Sequence, residues 1–465
     1  MRTHWRTVLL SAALLTYFSS LVSAQEQTPL LSLPQLQQCR STSRPLLPEK
    51  WQATFLMAPF SKGQLVLSRI VYDASLPAMR VTLYGVRRGS QDYFISDDRT
   101  YALQSDGGAV TQCRDLGDTD WQPLPRDWLA PQSQCVGSAP IGETAVDWWK
   151  TPIEPAPASY WIWYKASDGT PFRLVFPARG DQLGIFSEYA VSHQVAFEPL
   201  SQTNLGAIAN ACRGAPPADS RRSLRERLDA MAQAPERADR EIAALMPELA
   251  ACPADPLPTW PGKLALTGLM TPADASEDPY PTEVLYDWSV PGQRTRVFFP
   301  SGSGFAAQDA LLLGPRGYNV IYHRPGGPGP TCVPVLPGTI RPDWAARGPC
   351  SCEAMISGRT ALTPHGAARI LACPLAVPRA AWAWYTLDGR PTSFMVTSLP
   401  GDQGLGLFAV LDYRDWLPGY DFPASVFDRP AQCQTPPPRA GMRAAAGPPA
   451  SCAACHLGGA GGERR

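Results

Sequence analysis

The chain has 465 residues, 41 basic against 41 acidic, with five histidines and 44% apolar residues. A neutral chain without a basic run lacks the electrostatic footprint of a nucleic-acid binder, which excludes that class, and the length leaves room for two or three domains with packed cores. Fifty prolines argue against long helices, because proline removes a backbone donor and ends regular elements; short strands and stiff turns are expected instead.

Residues 1–24 read as a secretory signal: Arg2 and Arg6 give the basic start, Val8 to Val22 is mostly apolar, and Val22-Ser23-Ala24 offers small residues for cleavage. Its removal takes two of the 41 basic residues and leaves 39 against 41, a formal charge of −2. The apolar run is too short and too interrupted for a membrane anchor, and no other stretch approaches a span. Ala24 precedes Gln25 rather than Cys, so no lipid-modified cysteine is expected. The expectation is an exported chain, periplasmic or secreted, without a membrane span.

The body of the chain is written twice. Tyr72-Asp-Ala-Ser-Leu-Pro77 returns as Tyr286-Asp-Trp-Ser-Val-Pro291, and Gly180-Asp-Gln-Leu-Gly-Ile-Phe186 returns as Gly401-Asp-Gln-Gly-Leu-Gly-Leu-Phe408. A repeat of this length means two homologous domains, not a solenoid. We place the first at 39–212 and the second at 252–433. In the first, Leu65 to Tyr72 and Met79 to Val86 are β-rich runs around a turn carrying Pro77. Tyr160-Trp-Ile-Trp-Tyr164 and Phe172-Arg-Leu-Val-Phe176 flank Ser167-Asp168-Gly169 as a second hairpin, echoed by Trp382 to Tyr385 and Phe394 to Val396 around Asp388-Gly389. Alternation sets Trp161 and Trp163 on one face and Ile162 and Tyr164 on the other.

Between the copies, residues 213–251 form a connector of one or two short amphipathic helices. Leu224, Leu228 and Met231, then Ile242, Leu245 and Leu249, recur at helical spacing, limited by Pro235 and Pro247. Residues 434–465 lack periodicity and read as a flexible tail.

In an exported chain, Cys39, Cys113, Cys135 and Cys212 of the first copy and Cys252, Cys332, Cys350, Cys352, Cys373 and Cys433 of the second read as disulfides. Cys39 and Cys212, like Cys252 and Cys433, open and close their copies. The pairing expected is Cys39 with Cys212, Cys113 with Cys135 and Cys252 with Cys433, with Cys332 taking Cys350 or Cys352 and leaving the other for Cys373.

Each copy resembles the ependymin and ependymin-related group. The likeness rests on a Tyr-Asp before a proline turn and an Arg-bearing strand (Tyr72, Asp73, Arg80; Tyr286, Asp287, Arg294), on the cysteine framework, and on Phe422-Pro-Ala-Ser-Val-Phe-Asp-Arg-Pro-Ala-Gln-Cys433. It spans about three quarters of the chain. The resemblance implies a mainly β fold, an antiparallel half-barrel per copy, similar to that of the bacterial lipoprotein carriers. It also implies non-catalytic binding of a lipid or small apolar ligand. The duplication, the connector and the tail depart from that family. Trp161, Trp163, Trp382 and Trp384 are the candidate pocket lining, being large amphipathic surfaces; tryptophan as plain core is the commoner use. The Asp after Gly180 and Gly401 is read as a turn residue bonding its own backbone rather than as an acid.

Cys452-Ala-Ala-Cys455-His456 has the C-x-x-C-H form of a covalent haem c site, with His456 as the iron ligand. Only nine residues follow it, and Met442, His193, His323 and His365 are the other residues that could be weighed as a distal ligand. Three readings stand open: a haem on a tail sheltered by a domain or partner, a chain cut short of a cytochrome domain, or a thiol pair forming a disulfide or redox site. No second Cys or His pair lies near to complete a zinc site, and the isolated histidines read as surface or satisfied residues. There is no G-x-S-x-G, phosphate-binding loop or dinucleotide fingerprint; Gly302-Ser303-Gly304 lacks the spacing. The competing function is electron transfer, with the β domains a docking scaffold for a redox partner, and a hydrolase with a carboxylate pair is the third.

Overall fold

The computed structural model describes residues 29–434 except 60–64, 86–88, 97–98, 107–108, 119–125, 128, 130, 153–158, 177–189, 218–234, 273–277, 300–302, 336–340, 349, 361–362, 364, 376–378 and 398–407. The signal segment, the Gly180 motif, Gly401 to Leu407 of its repeat, Leu224, Leu228, Met231 and the Cys452-to-His456 motif lie outside the described residues.

The fold is mainly β, in two antiparallel sheets that do not close into barrels. The first holds β1 (Lys50–Pro59), β2 (Val66–Asp73), β3 (Ala78–Gly85), β4 (Gly89–Ser96), β5 (Arg99–Asp106), β6 (Ala109–Asp118), β7 (Gln134–Ile141), β8 (Thr144–Pro152), β9 (Ser159–Lys165), β10 (Pro171–Phe176) and β11 (Ala190–Pro199). Its order is β6-β5-β4-β3-β2-β1-β11-β10-β9-β8-β7. The second holds β12 (Leu249–Ala250), β13 (Lys263–Pro272), β14 (Tyr280–Asp287), β15 (Gly292–Phe298), β16 (Phe305–Leu313), β17 (Arg316–His323), β18 (Thr331–Val335), β19 (Ser351–Ile356), β20 (Ala368–Leu375), β21 (Arg379–Thr386), β22 (Pro391–Thr397) and β23 (Phe408–Pro418). Its order is β12-β19-β20-β21-β22-β23-β13-β14-β15-β16-β17-β18. Apart from the added β12, the two orders superimpose strand for strand. Each sheet is two meanders joined where its first strand pairs its last.

The repeated Tyr-Asp motif builds the same corner twice. Asp73 Oδ1 accepts from Ser75 N (3.1 Å) and Oγ (2.6 Å), and Asp287 Oδ1 accepts from Ser289 N (2.9 Å) and Oγ (2.6 Å). Each aspartate also meets a lysine of its copy's first strand, Lys50 at 3.6 Å and Lys263 at 3.5 Å. Burial raises the Asp73 carboxyl, but the Ser75 and Thr203 hydrogen bonds and Lys50 outweigh it and hold it below the usual carboxylate range. One strand further on, Arg80 pairs with buried Asp92 (2.5 Å), and Arg294 pairs with buried Asp309. The Arg of the family-like motif is therefore an internal strut of each sheet. The Asp-Gly hairpins form as expected: Gly169 and Gly389 take φ +67° and +87°, a left-handed conformation that only glycine adopts without strain.

One face of each sheet has its own cover. In the first, Trp51, Phe55, Tyr72, Trp149 and Tyr164 pack beneath Leu47 and Leu129. In the second, Leu264, Leu266, Tyr286 and Tyr385 pack with Trp260 and with Ala345 of helix α3 (Trp344–Arg347); Trp260 Nε1 donates to Tyr385 Oη at 3.1 Å. The opposite faces share a single cluster, to which both sheets contribute. Helix α2 (Pro235–Leu245) of the connector seals its margin with Ala238 and Ile242, followed by Met246, at intervals of four residues that keep one helical stripe inward. The N-terminal segment spans the same two bodies: Leu30 and Leu31 N–H both donate to Glu283 Oε1 at 2.9 Å, while Gln37 pairs with Ser138 of β7.

The ten cysteines from Cys39 to Cys433 form five bridges: Cys39–Cys135, Cys113–Cys212, Cys252–Cys352, Cys332–Cys433 and Cys350–Cys373. This corrects the pairing of Cys39 with Cys212, Cys113 with Cys135 and Cys252 with Cys433, and that of Cys332 with Cys350 or Cys352. The Cys350–Cys373 bridge is one of the two left open for Cys373. The reason is topological. Strands β6 and β7 are consecutive in the chain but form opposite edges of the sheet, so Cys113 and Cys135 are far apart. Cys113 is met by Cys212 at the end of helix α1 (Leu205–Cys212), whose Leu205, Ile208 and Cys212 bury against β4–β6. Cys135 is met by the N-terminal segment. The second copy repeats both bridges at sequence separations of 100 and 101, against 96 and 99 in the first.

Non-reducing peptide mapping of the oxidised protein will recover these five linked pairs, and any Cys39–Cys212 or Cys252–Cys433 peptide would contradict the fold. In the chain-entropy account a bridge closing a loop of about 100 residues stabilises by roughly 4–5 kcal/mol, so reduction should lower the urea midpoint sharply.

Candidate functional site

The shared cluster is organised as two facing rows. Across the first sheet, successive strand partners run Leu56 (β1), His193 (β11), Arg173 (β10), Trp163 (β9) and Trp148 (β8). Across the second they run Leu269 (β13), Asp412 (β23), Ser393 (β22), Trp384 (β21) and Ile370 (β20). The rows occupy the same strands of the two copies. Leu56 corresponds to Leu269, His193 to Asp412, Arg173 to Ser393, Trp163 to Trp384 and Trp148 to Ile370.

The rows meet through polar groups at their centre. Arg173 Nη1 and Nη2 donate to the two oxygens of Asp412 at 2.7 and 3.1 Å, and Ser393 Oγ donates to Asp412 Oδ1 at 3.1 Å. The Arg173 guanidinium also lies over Trp163, 5.4 Å from its centroid. His193 packs on Trp384 of the other sheet at 5.5 Å. Only 3% of Arg173 and 4% of His193 is exposed, while the Asp412 side chain keeps 13% of its surface in contact with solvent. Burial first, and the neighbouring Arg173 charge second, push the His193 imidazole well below its ordinary range.

Local geometry sets these positions. Each first-to-last strand pairing carries a bulge, at Thr54/Phe55 in the first copy and at Thr267/Gly268 in the second. At Gly268 an added Cβ would lie 2.5 Å from the Asp412 carbonyl oxygen. Glycine there lets β23 approach β13 at the residue that receives Arg173.

Trp163, Trp382 and Trp384 are 0%, 0% and 2% exposed and share this one seam. The structure therefore joins candidates from both copies instead of placing each pair in a cavity of its own. Trp161 lies in β9 with its side chain outside those described. Trp163 and Tyr164 fall into different clusters, as the alternation requires. Sequence reading missed Trp148, which meets Trp163 edge-on at 5.5 Å, and it missed Arg173, His193, Ser393 and Asp412. The available signals were the Trp148-Trp149 pair and single charges inside the apolar strands around Arg173 and Asp412. The buried carboxylates Asp92, Asp309 and Glu283, and the partly buried Asp412, each face an arginine. Among the described residues no group of three His, Cys, Asp or Glu is placed to hold a metal ion, and no helix is long and apolar enough to cross a membrane.

No protein-family model matches the chain, and no curated protein matches it. Among solved structures it is similar to the Pseudomonas aeruginosa MucA/MucB complex structure, at 15% identity over 61% of this chain and 86% of that one with a TM-score of 0.21. It is similar also to a LolA-superfamily protein of Nitrosomonas europaea, at 14% identity over 37% and 92% with a TM-score of 0.19. An uncharacterized conserved protein of Thermus thermophilus gives 16% identity over 37% and 89% with a TM-score of 0.23.

The seam gives stability a definite pH dependence. Unfolded His193 takes up a proton near pH 6.5 while folded His193 stays neutral, so below that pH the unfolded state binds more protons and stability falls. Above it the residue contributes no slope. His193→Phe should flatten the fall between pH 6.5 and 5 by up to about 1.4 kcal/mol per pH unit, read as the difference in urea midpoint between variant and parent. Identical slopes would mean that His193 is accessible to protons in the folded state.

Proposed function

We propose that the protein is an exported, non-catalytic binder of apolar ligands that uses the tryptophan seam between its two sheets. One observation carries this reading: Trp148, Trp163, Trp382 and Trp384, drawn from both copies, are collected in the contact between the sheets and not in the core of either. Each sheet is stapled separately by its own disulfides, and its other face has its own cover. Parting the sheets would thus present a continuous aromatic wall while leaving both bodies folded. A wall of tryptophans with a few fixed polar groups is the composition of small-molecule sites. The sequence resemblance to ependymins points to the same class of ligand. Five disulfides and the signal-like start agree with an oxidising compartment.

Native mass spectrometry of the exported protein, purified without detergent, should show a co-purifying apolar molecule, with occupancy reduced several-fold in Trp384→Ala. A bare chain mass under the gentlest desolvation would remove the reading.

A second reading is favoured by the Cys452-Ala-Ala-Cys455-His456 motif. The donor set fits haem c: two thiols to carry the group and an imidazole to ligate the iron. Among the described histidines His193 is sealed in the seam, whereas His323 and His365 are partly exposed. Bound haem would supply one-electron chemistry, and the protein would then serve a redox partner. Protein exported alongside haem-maturation factors should stain for covalent haem, and Cys455→Ser should abolish the stain; an unstained parent chain would end the electron-transfer alternative.

A further inference from the structure

Three buried side chains of the first row carry polar atoms without a hydrogen-bond partner: Arg173 Nε, His193 Nε2 and Trp148 Nε1. Arg173 spends its two terminal nitrogens on Asp412, and its Nε–H remains. All three residues are more than nine-tenths buried. Arg173 and His193 are cross-strand partners on β10 and β11, roughly 4.8 Å apart, and Trp148 stands on β8 of the same face, beyond Trp163 of β9. Buried polar atoms in native proteins are almost always paired, and an unpaired set calls for a reason. Here two of them, on Arg173 and His193, sit side by side on paired strands.

Among the described residues the facing row supplies no acceptor for them, since Asp412 already takes Arg173 and Ser393, and Trp384 presents its ring to His193. An incoming acceptor oxygen would satisfy Arg173 Nε–H directly. His193 completes the pair in its protonated form: Arg173 is already balanced by Asp412, so a further anion needs a further cation, and His193, the cross-strand partner of Arg173, is the titratable group beside it. The charged groups around it are Arg173 on the adjacent strand β10 and Asp412 on β23 of the opposing sheet; on its other side β1 offers Leu56.

We propose, building on the binding reading above, that the ligand of the seam is a long-chain amphiphile with a carboxylate head. Its head is held by Arg173 and His193, its chain lies along Trp148, Trp163, Trp382 and Trp384, and its binding takes up a proton.

The test uses the full exported chain, delipidated, with N-phenylnaphthylamine as a neutral fluorescent reporter of the apolar wall. Dodecanoate, methyl dodecanoate and dodecylamine are compared as displacers below their micellar concentrations. Dodecanoate should displace the reporter at about tenfold lower concentration than the amine, the scale of one charge-assisted hydrogen bond, and better than the ester. Its affinity should rise as pH is lowered from 8 to 6. His193→Phe should erase most of the preference and the pH dependence while reporter binding persists. Equal displacement by acid and amine, with the reporter bound, overturns the head-group assignment and leaves the binding reading standing. Failure of the reporter to bind at all overturns both.

Discussion

The arrangement depends on one contact: the bidentate pair between Arg173 of the first sheet and Asp412 of the second. The polar groups at the centre of the seam are arranged around it. Arg173 is pinned between Asp412 and the Trp163 face, Ser393 orients the same carboxylate, and His193 is left against Trp384. Two separate cores become one protein at this point. A buried charge pair contributes modestly as a pair, but removing one partner typically costs about 3–5 kcal/mol because it strands the other. The pair therefore specifies which faces meet more than it glues them.

The duplication explains how such a pair arises. The facing rows bring a position of one copy opposite a different position of the other: Arg173 meets Asp412, the counterpart of His193, and His193 meets Trp384, the counterpart of Trp163. If both copies carried Arg at the 173/393 position and His at the 193/412 position, the seam would hold only basic groups. With Ser393 and Asp412 in the second copy it holds one cation, one anion and one neutral ring. Fusion of the copies in a single chain is what allows the two rows to differ; a homodimer could not separate them. The structural corners show the opposite behaviour. The Asp73/Asp287 turns, the Arg80–Asp92 and Arg294–Asp309 struts and the two long bridges are retained in both copies, because each serves its own sheet.

Local features were legible in the sequence, and long-range ones were not. The Tyr-Asp-x-Ser turn and the Asp-Gly hairpins are set by residues two to four positions apart, and they stand where the sequence puts them. The sheets, and the alternation of Trp163 with Tyr164, follow from a period of two. Disulfide partners depend instead on which strands form sheet edges. Cys113 and Cys135 are near neighbours in the chain and occupy opposite edges, since the meander breaks between β6 and β7. For the tryptophans, periodicity names a face but not what covers it. Trp382 and Trp384 are covered by the other copy, a fact no window of one copy contains. His193 read as isolated because its companions Arg173 and Trp384 lie 20 and 191 residues away.

The same physics locates the place where this molecule opens. Separation in a folded protein occurs where the contact is least cooperative with the rest. The bridges and outer covers hold each sheet together independently of the other. The seam, by contrast, carries a largely buried ion pair whose desolvation offsets much of its attraction, together with buried polar atoms that regain hydrogen bonds to water on exposure. It is thus the contact that loses least when it parts. What restrains it are the aromatic packing, the connector helix at its margin and the N-terminal segment held by Glu283. A ligand that replaces the aromatic contacts and pairs the open nitrogens recovers nearly all that separation gives up, which is the condition for a closed seam to serve as a binding site.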